Sequence, residues 1–499
     1  VLAAWALLFV PATAVATITF ERMWTLYDGT CHVGSVQQTA DGGYIIAADQ
    51  YYPGLTPRSR LYAIGLVKVD SLGEVEWYRW YPGPPPYTGS IGSVGCIMRS
   101  GDYAVMGVCG GAGIEDLRVV RADSVGDSVW MFTYAGPGID NGYGIAPTAD
   151  GGLVLGAYLS TATDEGMGLL KLSGSGEVEW CRIYRPSGYA TSGWSVFQTD
   201  DGGYIVHGCI VLDTGDFDSA YTVRTDSVGD TLWTMRYAPS PCEGYGVDWP
   251  SLCPVPGGGF AISGWTHGND SSGSYLAQFD AEARLVWDKV MLEETSTGAE
   301  VLVRSVQALP DGGFILTGDQ WLANQYAPHV ILLRLGPDHE SLWCRKYYGL
   351  DTLAADFGLC VIAARDGGFA VAGVGDWDQT GMKRVYLIKT DSAGLVYSGV
   401  AEPGPAPTEP RVAIGPNPFT DRMSIRYSLR APGSVRIYAV DAAGRVVARL
   451  LDAAAAAAAG EVIWQPQDVA EGVYFVRFET PEGNATRRAL LVRRPGPGR

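Results

Sequence analysis

Ser35-Val36-Gln37-Gln38-Thr39-Ala40-Asp41-Gly42-Gly43-Tyr44-Ile45-Ile46 holds two strands and the tight turn between them. Glycine takes positive φ freely, so Asp-Gly-Gly reverses the chain at little cost. The aromatic and β-branched run after it reads as a strand buried on both faces. The fold is decided by the return of this passage. Turns of the same form stand at Gly42, Gly101, Gly151, Gly202, Gly258, Gly312 and Gly367, spaced 59, 50, 51, 56, 54 and 55 residues apart. Seven copies at this period mark a repeat architecture.

Each copy continues in the same way. A further strand such as Leu66-Val67-Lys68-Val69 or Leu387-Ile388-Lys389-Thr390 ends in a second tight turn, as in Asp70-Ser71-Leu72-Gly73, Asp123-Ser124-Val125-Gly126 and Asp226-Ser227-Val228-Gly229. An Asp side chain caps such turns and Gly supplies positive φ. Then comes a strand with one large aromatic: Trp77, Trp130, Trp180, Trp233, Trp287, Trp343 and finally Tyr397, with Trp24 standing as an extra first member. Four strands per copy and seven copies predict an all-β fold, a seven-bladed β-propeller over residues 17–400. An open solenoid is the alternative. The extra aromatic strand around Trp24 favours the ring, since it offers a strand with which to close the last blade.

Asp70-Ser71-Leu72-Gly73-Glu74-Val75-Glu76-Trp77 resembles the tryptophan-docking motif of quinoprotein-like propellers. The resemblance implies that each tryptophan packs between neighbouring blades. It does not imply the quinone cofactor. Asp280-Ala281-Glu282-Ala283 and Gly336-Pro337-Asp338-His339 depart from the motif by lacking the turn glycine, and Leu172-Ser173-Gly174 replaces the Asp.

The chain has 499 residues, enough for more than one domain. A Pro-rich stretch, residues 401–410, predicts a stiff linker. Beyond it, residues 411–495 change character. Strand-like runs fall at 424–428, 435–440, 445–450, 462–464, 473–478 and 489–492, and the alanines from Ala453 to Ala459 read as a helical turn or a loop. Pro416-Asn417-Pro418-Phe419, Ile437-Tyr438-Ala439-Val440-Asp441-Ala442-Ala443-Gly444-Arg445 and Gly472-Val473-Tyr474-Phe475-Val476 resemble the C-terminal sorting domain of the type IX secretion system. That resemblance implies an immunoglobulin-like β-sandwich, a partnership with the type IX secretion machinery, and a protein that is secreted or held at the cell surface after passing the periplasm and outer membrane. The alternative is an accessory sandwich with no transport role. At the other end, residues 1–16 read as a signal peptide, with an apolar run from Leu2 to Val10 and Ala14-Val15-Ala16 before Thr17. That apolar run is too short to span a membrane.

The net charge is −18, yet residues from Arg411 onward carry 13 Arg, no Lys and 8 acidic residues, a balance of +5 that leaves −23 on the remainder. So acidic a body excludes a nucleic-acid groove. The 9 cysteines show no CxxC pair, and no HExxH, GxSxG or phosphate-cradling glycine loop occurs. Cys242 and Cys253 are near enough in sequence to pair in an oxidising compartment. No cofactor is expected. Asp213-Thr214-Gly215-Asp216-Phe217-Asp218 supplies oxygens suited to Ca²⁺, without the length of an EF-hand loop.

Function is expected at one end of the ring. The Asp-Gly-Gly and Asp-Ser-x-Gly turns are short and repetitive, whereas the other loops differ in length and content. Variable loops on a rigid scaffold are where binding resides. They hold Tyr87, Tyr143, Tyr189, Trp194, Tyr245, Asp248 and Trp249 in one set, and Asp49, Tyr51, Tyr52, Asp213, Asp216, Asp218, Trp265, Trp321, Asp376, Trp377 and Asp378 in another. Aromatics among carboxylates suit sugar rings, and peptides fit as well. The leading expectation is a binding module for a glycan or peptide. A polysaccharide hydrolase or lyase using two loop carboxylates and a structural surface component are the alternatives, and a quinone-dependent dehydrogenase is disfavoured.

Overall fold

The computed structural model describes residues 18–24, 26, 30–53, 60–82, 94–111, 114–186, 189–211, 217–238, 247–267, 272–292, 300–321, 327–348, 355–377, 383–396, 411–415, 419–428, 433–441, 445–456, 459–466, 469–480 and 483–492. The signal peptide, the linker and Tyr397 of the sequence reading lie outside them. The chain divides into two compact units, Val1–Ser398 and Gly399–Arg499. Among the described residues there are strands and turns and no helix.

The first unit holds seven four-stranded antiparallel sheets. Blade one runs through Thr30–Gln38, Tyr44–Pro53, Arg60–Val69 and Val75–Pro82, inner strand to outer. The inner strands of blades two to seven are Val94–Ile97, Asn141–Pro147, Ala190–Gln198, Val247–Pro254, Glu300–Ala308 and Ala355–Ala363. Each inner strand touches the next, and that of blade seven touches that of blade one, so the ring is closed. Side chains alternate across a strand, so both faces of each blade are apolar and face the two neighbouring blades. The core is therefore divided into seven clusters, one at every blade junction. The junction of blades seven and one is packed like the others, with Ile46, Val67 and Ala48 against Ala370, Val385 and Leu387.

Blade seven is completed from the far end of the chain. Its inner three strands are Ala355–Ala363, Phe369–Trp377 and Arg384–Thr390, and its outer strand is Phe20–Trp24. The predicted closing strand is present, but its key residue differs from the prediction. Each repeat tryptophan stands opposite the last cation, or its substitute, of the preceding strand: Trp77 opposite Lys68, Trp130 opposite Arg121, Trp343 opposite Arg334. In blade seven the residue opposite Lys389 is Phe20, and Trp24 stands opposite Val385. Phe20, not Trp24, is the docking aromatic. Its ring occupies the space over Gly73 of blade one, where an added β-carbon would come within 2.6 Å. Trp77 lies in the same way over Gly126, Trp130 over Gly176, Trp180 over Gly229 and Trp343 over Gly394.

The tight turns behave as the sequence predicts. The carboxylate of Asp70 accepts the N–H groups of Leu72 and Glu74 at 2.9 and 2.8 Å, and Asp123, Asp226 and Asp391 repeat the pattern. In blade three Ser173 Oγ does this work for Glu177 N–H at 3.1 Å. Where the turn glycine is missing, Ala283 and His339 take its left-handed conformation, with φ of 62° and 63°.

The second unit has two sheets. One orders Arg411–Gly415, Met423–Ser428 and Ala459–Trp464; the other orders Val446–Ala456, Gly433–Asp441, Gly472–Thr480 and Gly483–Leu491. Phe419, Ile425, Ile437, Trp464, Val476 and Leu491 form its core. The alanine tract is neither helix nor loop where it is described. Ala453 and Ala456 extend a strand opposite Val435 and Gly433. Pairing to an existing strand overrides the helix preference of alanine. A groove of about 380 Å³ opens beside Val447, Leu450, Ile463 and Val469 of this unit.

Candidate functional site

Inner strands carry a repeated irregularity. In six blades the register between the first and second strands slips by an extra residue, a β-bulge that frees one side chain from the ladder. The freed residues are Gly34, Tyr143, Trp194, Arg304 and Leu359, with both Trp249 and Pro250 in blade five. Five of these seven positions carry large or charged groups on the strands nearest the ring's axis.

Two of them meet. Tyr143 and Trp194 stack across the junction of blades three and four, ring centroids 4.4 Å apart and planes 23° from parallel. Both are half-buried. The glycines beside them make room: a β-carbon on Gly144 would meet the Trp194 carbonyl oxygen at 3.1 Å. Trp194 Nε1 is buried and has no acceptor. A buried N–H without a partner is uncommon and costly in a finished structure.

Arg304, the freed residue of blade six, builds a second patch. Its guanidinium grips both oxygens of Asp319, with Nη2 at 3.3 Å from Oδ2, and Asp319 is fully buried. Trp321 Nε1 donates to the same carboxylate at 2.9 Å. Burial pushes the Asp319 carboxyl above its ordinary value, against the pull of Arg304 and Trp321. Phe357 of blade seven lies under the Arg304 cation at 5.7 Å and beside the Trp321 ring at 6.3 Å. In blade one, His32 Nδ1 and Asp49 Oδ1 are 2.9 Å apart, with Asp49 fully buried and His32 reachable by solvent. Lys383 lies within the field of both patches. Burial lowers its ammonium from the ordinary value, Asp49 raises it and Arg304 lowers it. Blades six, seven and one thus share a network of two cations, a histidine and the carboxylates of Asp49 and Asp319.

Of the residues singled out in the sequence, the structure joins Tyr143 with Trp194 and places Trp321 in the Arg304 patch. Tyr189 is engaged elsewhere, with the Arg236 guanidinium over its ring at 5.0 Å. Asp248 and Trp249 lie on Val247–Pro254 and Asp376 and Trp377 at the end of Phe369–Trp377, but their side chains are outside the described set. Tyr87, Tyr245, Asp213 and Asp216 lie outside the described residues altogether. Among the described residues no three His, Cys, Asp or Glu side chains are placed to share a metal ion. Cys253 is a free thiol and Cys242 lies outside the described residues. Sequence reasoning missed Arg304, Asp319, His32 and Lys383. Arg304 was findable, because it stands eight residues before its turn glycine, as Tyr143 and Trp194 do.

No protein-family model matches the chain, and no curated protein matches it. Solved structures do. PorZ, a surface component of the type IX secretion system of Porphyromonas gingivalis, is 12% identical over 95% of this chain and 70% of its own, with a TM-score of 0.29. A PL25 ulvan lyase is 9% identical over 75% of this chain and 97% of its own, TM-score 0.46. An α-L-arabinanase of Penicillium chrysogenum is 10% identical over 75% and 98%, TM-score 0.41. Likenesses at this level transfer no activity and no partner to this chain.

Proposed function

We propose that this protein is a secreted or surface-attached binding module whose propeller holds an extracellular glycan. The stacked pair Tyr143 and Trp194 carries the reading. Two parallel rings on neighbouring inner strands offer an apolar face to a sugar, and Trp194 Nε1 offers a donor with nothing yet to give to. Sugars bind through such faces and through hydrogen bonds at their rims. The Arg304, His32 and Lys383 network supplies polar groups in blades six, seven and one.

At Asp319 and Asp140, binding is favoured over hydrolysis by how the two carboxylates are employed. Asp319 is held by Arg304 and Trp321. Asp140, also buried, accepts from Ser160 N–H and Gly136 N–H, each at 2.6 Å, and thereby shapes its own loop. A general acid needs a carboxyl free to meet substrate. For the second unit, the motif resemblance of residues 416–476 supports a role as a type IX export address, with the signal peptide of residues 1–16 as the first step.

The test is a glycan-array screen of the full chain beside Trp194→Ala and Tyr143→Ala. A selective glycan signal reduced at least about tenfold in both variants supports the reading. A signal untouched by either, or peptide binding in its place, refutes the placement.

A further inference from the structure

Blade two breaks the repeat at one buried position. Three residues before the cation that closes each third strand, or before Gln278 in its place in blade five, stand Gly65, Gly168, Tyr221, Tyr275, Ile331 and Tyr386. In blade two that residue is Arg118. It lies on the strand Ile114–Ala122, on the face that sends Val120 and Ala122 into the core against blade one. Leu117 and Val119 point the other way, toward blade three.

Arg118 is 8% exposed. Its Nε and Nη1 are buried with no acceptor, and Nη2 meets the Met131 sulfur at 3.3 Å. Asp116, two residues away on the same face, has a buried Oδ1 that likewise finds no donor, and no ion pair joins the two. The Cys109 thiol lies beside them as a weak acceptor for the guanidinium. Burial and the field of Asp140 raise the Asp116 carboxyl, which weakens it as a counter-charge. A guanidinium withdrawn from water with two nitrogens unsatisfied is among the costliest arrangements a protein keeps. Repeat sequences that break their own rule at a buried charge do so for a reason outside the fold. Met131 is 52% exposed and covers Nη2, so the approach from solvent is short.

We propose that Arg118 anchors an oxyanion site between blades one and two, which accepts a carboxylate or sulfate group while Asp116 takes a hydroxyl of the same molecule or of a bridging water. An oxyanion gives the guanidinium the charge-assisted acceptors it lacks. The site is separate from the Tyr143–Trp194 pair and stands whether or not that pair holds a sugar.

Calorimetric titration of the full chain with sodium sulfate and with sodium glucuronate, each against chloride at equal ionic strength, tests it. Saturable one-to-one binding of either anion is expected, and the arm that binds identifies the group. Arg118→Met should weaken it about tenfold or more while leaving any array signal that depends on Trp194 intact. Asp116→Asn keeps the anchor, removes a negative charge and should bind about threefold more tightly. Binding of neither anion, or binding unchanged in Arg118→Met, overturns the site. Without anion, Arg118→Met should melt no lower than the parent, and a clearly lower cooperative melt would show an internal partner and overturn it as well.

Discussion

The turn residues of the blades are chosen by φ and by the aromatic that lands on them. Gly126 sits at φ 85°, and a β-carbon there would come within 2.7 Å of the Trp77 ring. Gly126→Ala should cost about 2 kcal/mol or more. Ala283, in the same place in blade five, already bears the strain at φ 62°. Ala283→Gly should gain about 0.5 kcal/mol, the relief of a left-handed alanine less the entropy of a freer unfolded chain. Urea denaturation of both variants checks the pair of signs. His339 differs again, because its ring stacks on Trp287 at 3.8 Å, and that contact offsets its positive φ. The other turn has a pH signature. Burial opposes ionisation of Asp41 and Asp150, but hydrogen bonds from Thr39, Lys68 and Gly43, and from Thr148, Lys171 and Gly152, prevail and hold both carboxyls at about 2. Their folded values lie below the unfolded value near 3.8, so their contribution is complete above it and is lost as pH falls through about 2. Melting temperatures across that window should drop steeply in the parent, and less so in Asp41→Asn with Asp150→Asn. These residues were legible because their chemistry is local. Trp24 was misread for the opposite reason: aromatic spacing says nothing of register, and only the ladder shows that Phe20 faces Lys389.

At the scale of the strand, the last cation of the third strand reaches back to the aspartate of the first turn. Lys68 meets Asp41 at 2.9 Å, Lys171 meets Asp150 at 2.9 Å, Lys389 meets Asp366 at 2.8 Å, and Arg224 grips Asp201 at 2.6 Å. Blade five has Gln278 there, which accepts from Trp287 Nε1 at 2.7 Å, and its turn has glycine in place of aspartate. The outer strand follows suit. Where the cation is lysine in blades one and three, Glu76 and Glu179 stand ready at 2.8 and 3.1 Å. Where it is arginine, the same positions are Val129, Leu232 and Leu342, all exposed. A buried ammonium needs several acceptors around a point charge, whereas a guanidinium fork is satisfied by one carboxylate and nearby carbonyls. Glu76→Leu should therefore destabilise by about 1 kcal/mol, since Glu76 is partly solvated. Lys68→Arg in the same chain should recover most of it, and a double-mutant cycle in urea measures the coupling. All of these residues are visible in the sequence, but their pairing is not, because it runs across strands. Arg118 escaped notice in the same way: a lone arginine in a strand is unremarkable until its register shows what its siblings have there.

Over the whole molecule, seven blades, their closure and the second β unit were readable from period and composition alone. The surface proposed to hold a ligand was legible in part. Tyr143 and Trp194 stand out because aromatics near inner strands are conspicuous; Arg304 shares their offset of eight residues from the turn glycine, but its partners Asp319, Trp321 and Phe357 come from other strands and only the folded ladder joins them. Closure itself makes a prediction. Phe20 is 4% exposed in the seam between blades seven and one. Phe20→Ala should cost about 3–4 kcal/mol, and proteolysis should then open this seam before any other. A seam that tears elsewhere would mean that the ring is held by something other than its outermost pairing.

That pairing also sets a timetable. Phe20 is among the first residues of the propeller to be made and Lys389 among the last, and they must meet. At ~5–20 residues per second, the wait is roughly 20 to 70 s. For that interval blade one exists without its left-hand neighbour, its Ile46 and Val67 face bare, and six junctions must assemble around an absence. The molecule therefore needs either a guardian for the nascent chain or a route that delays collapse until the last strand arrives.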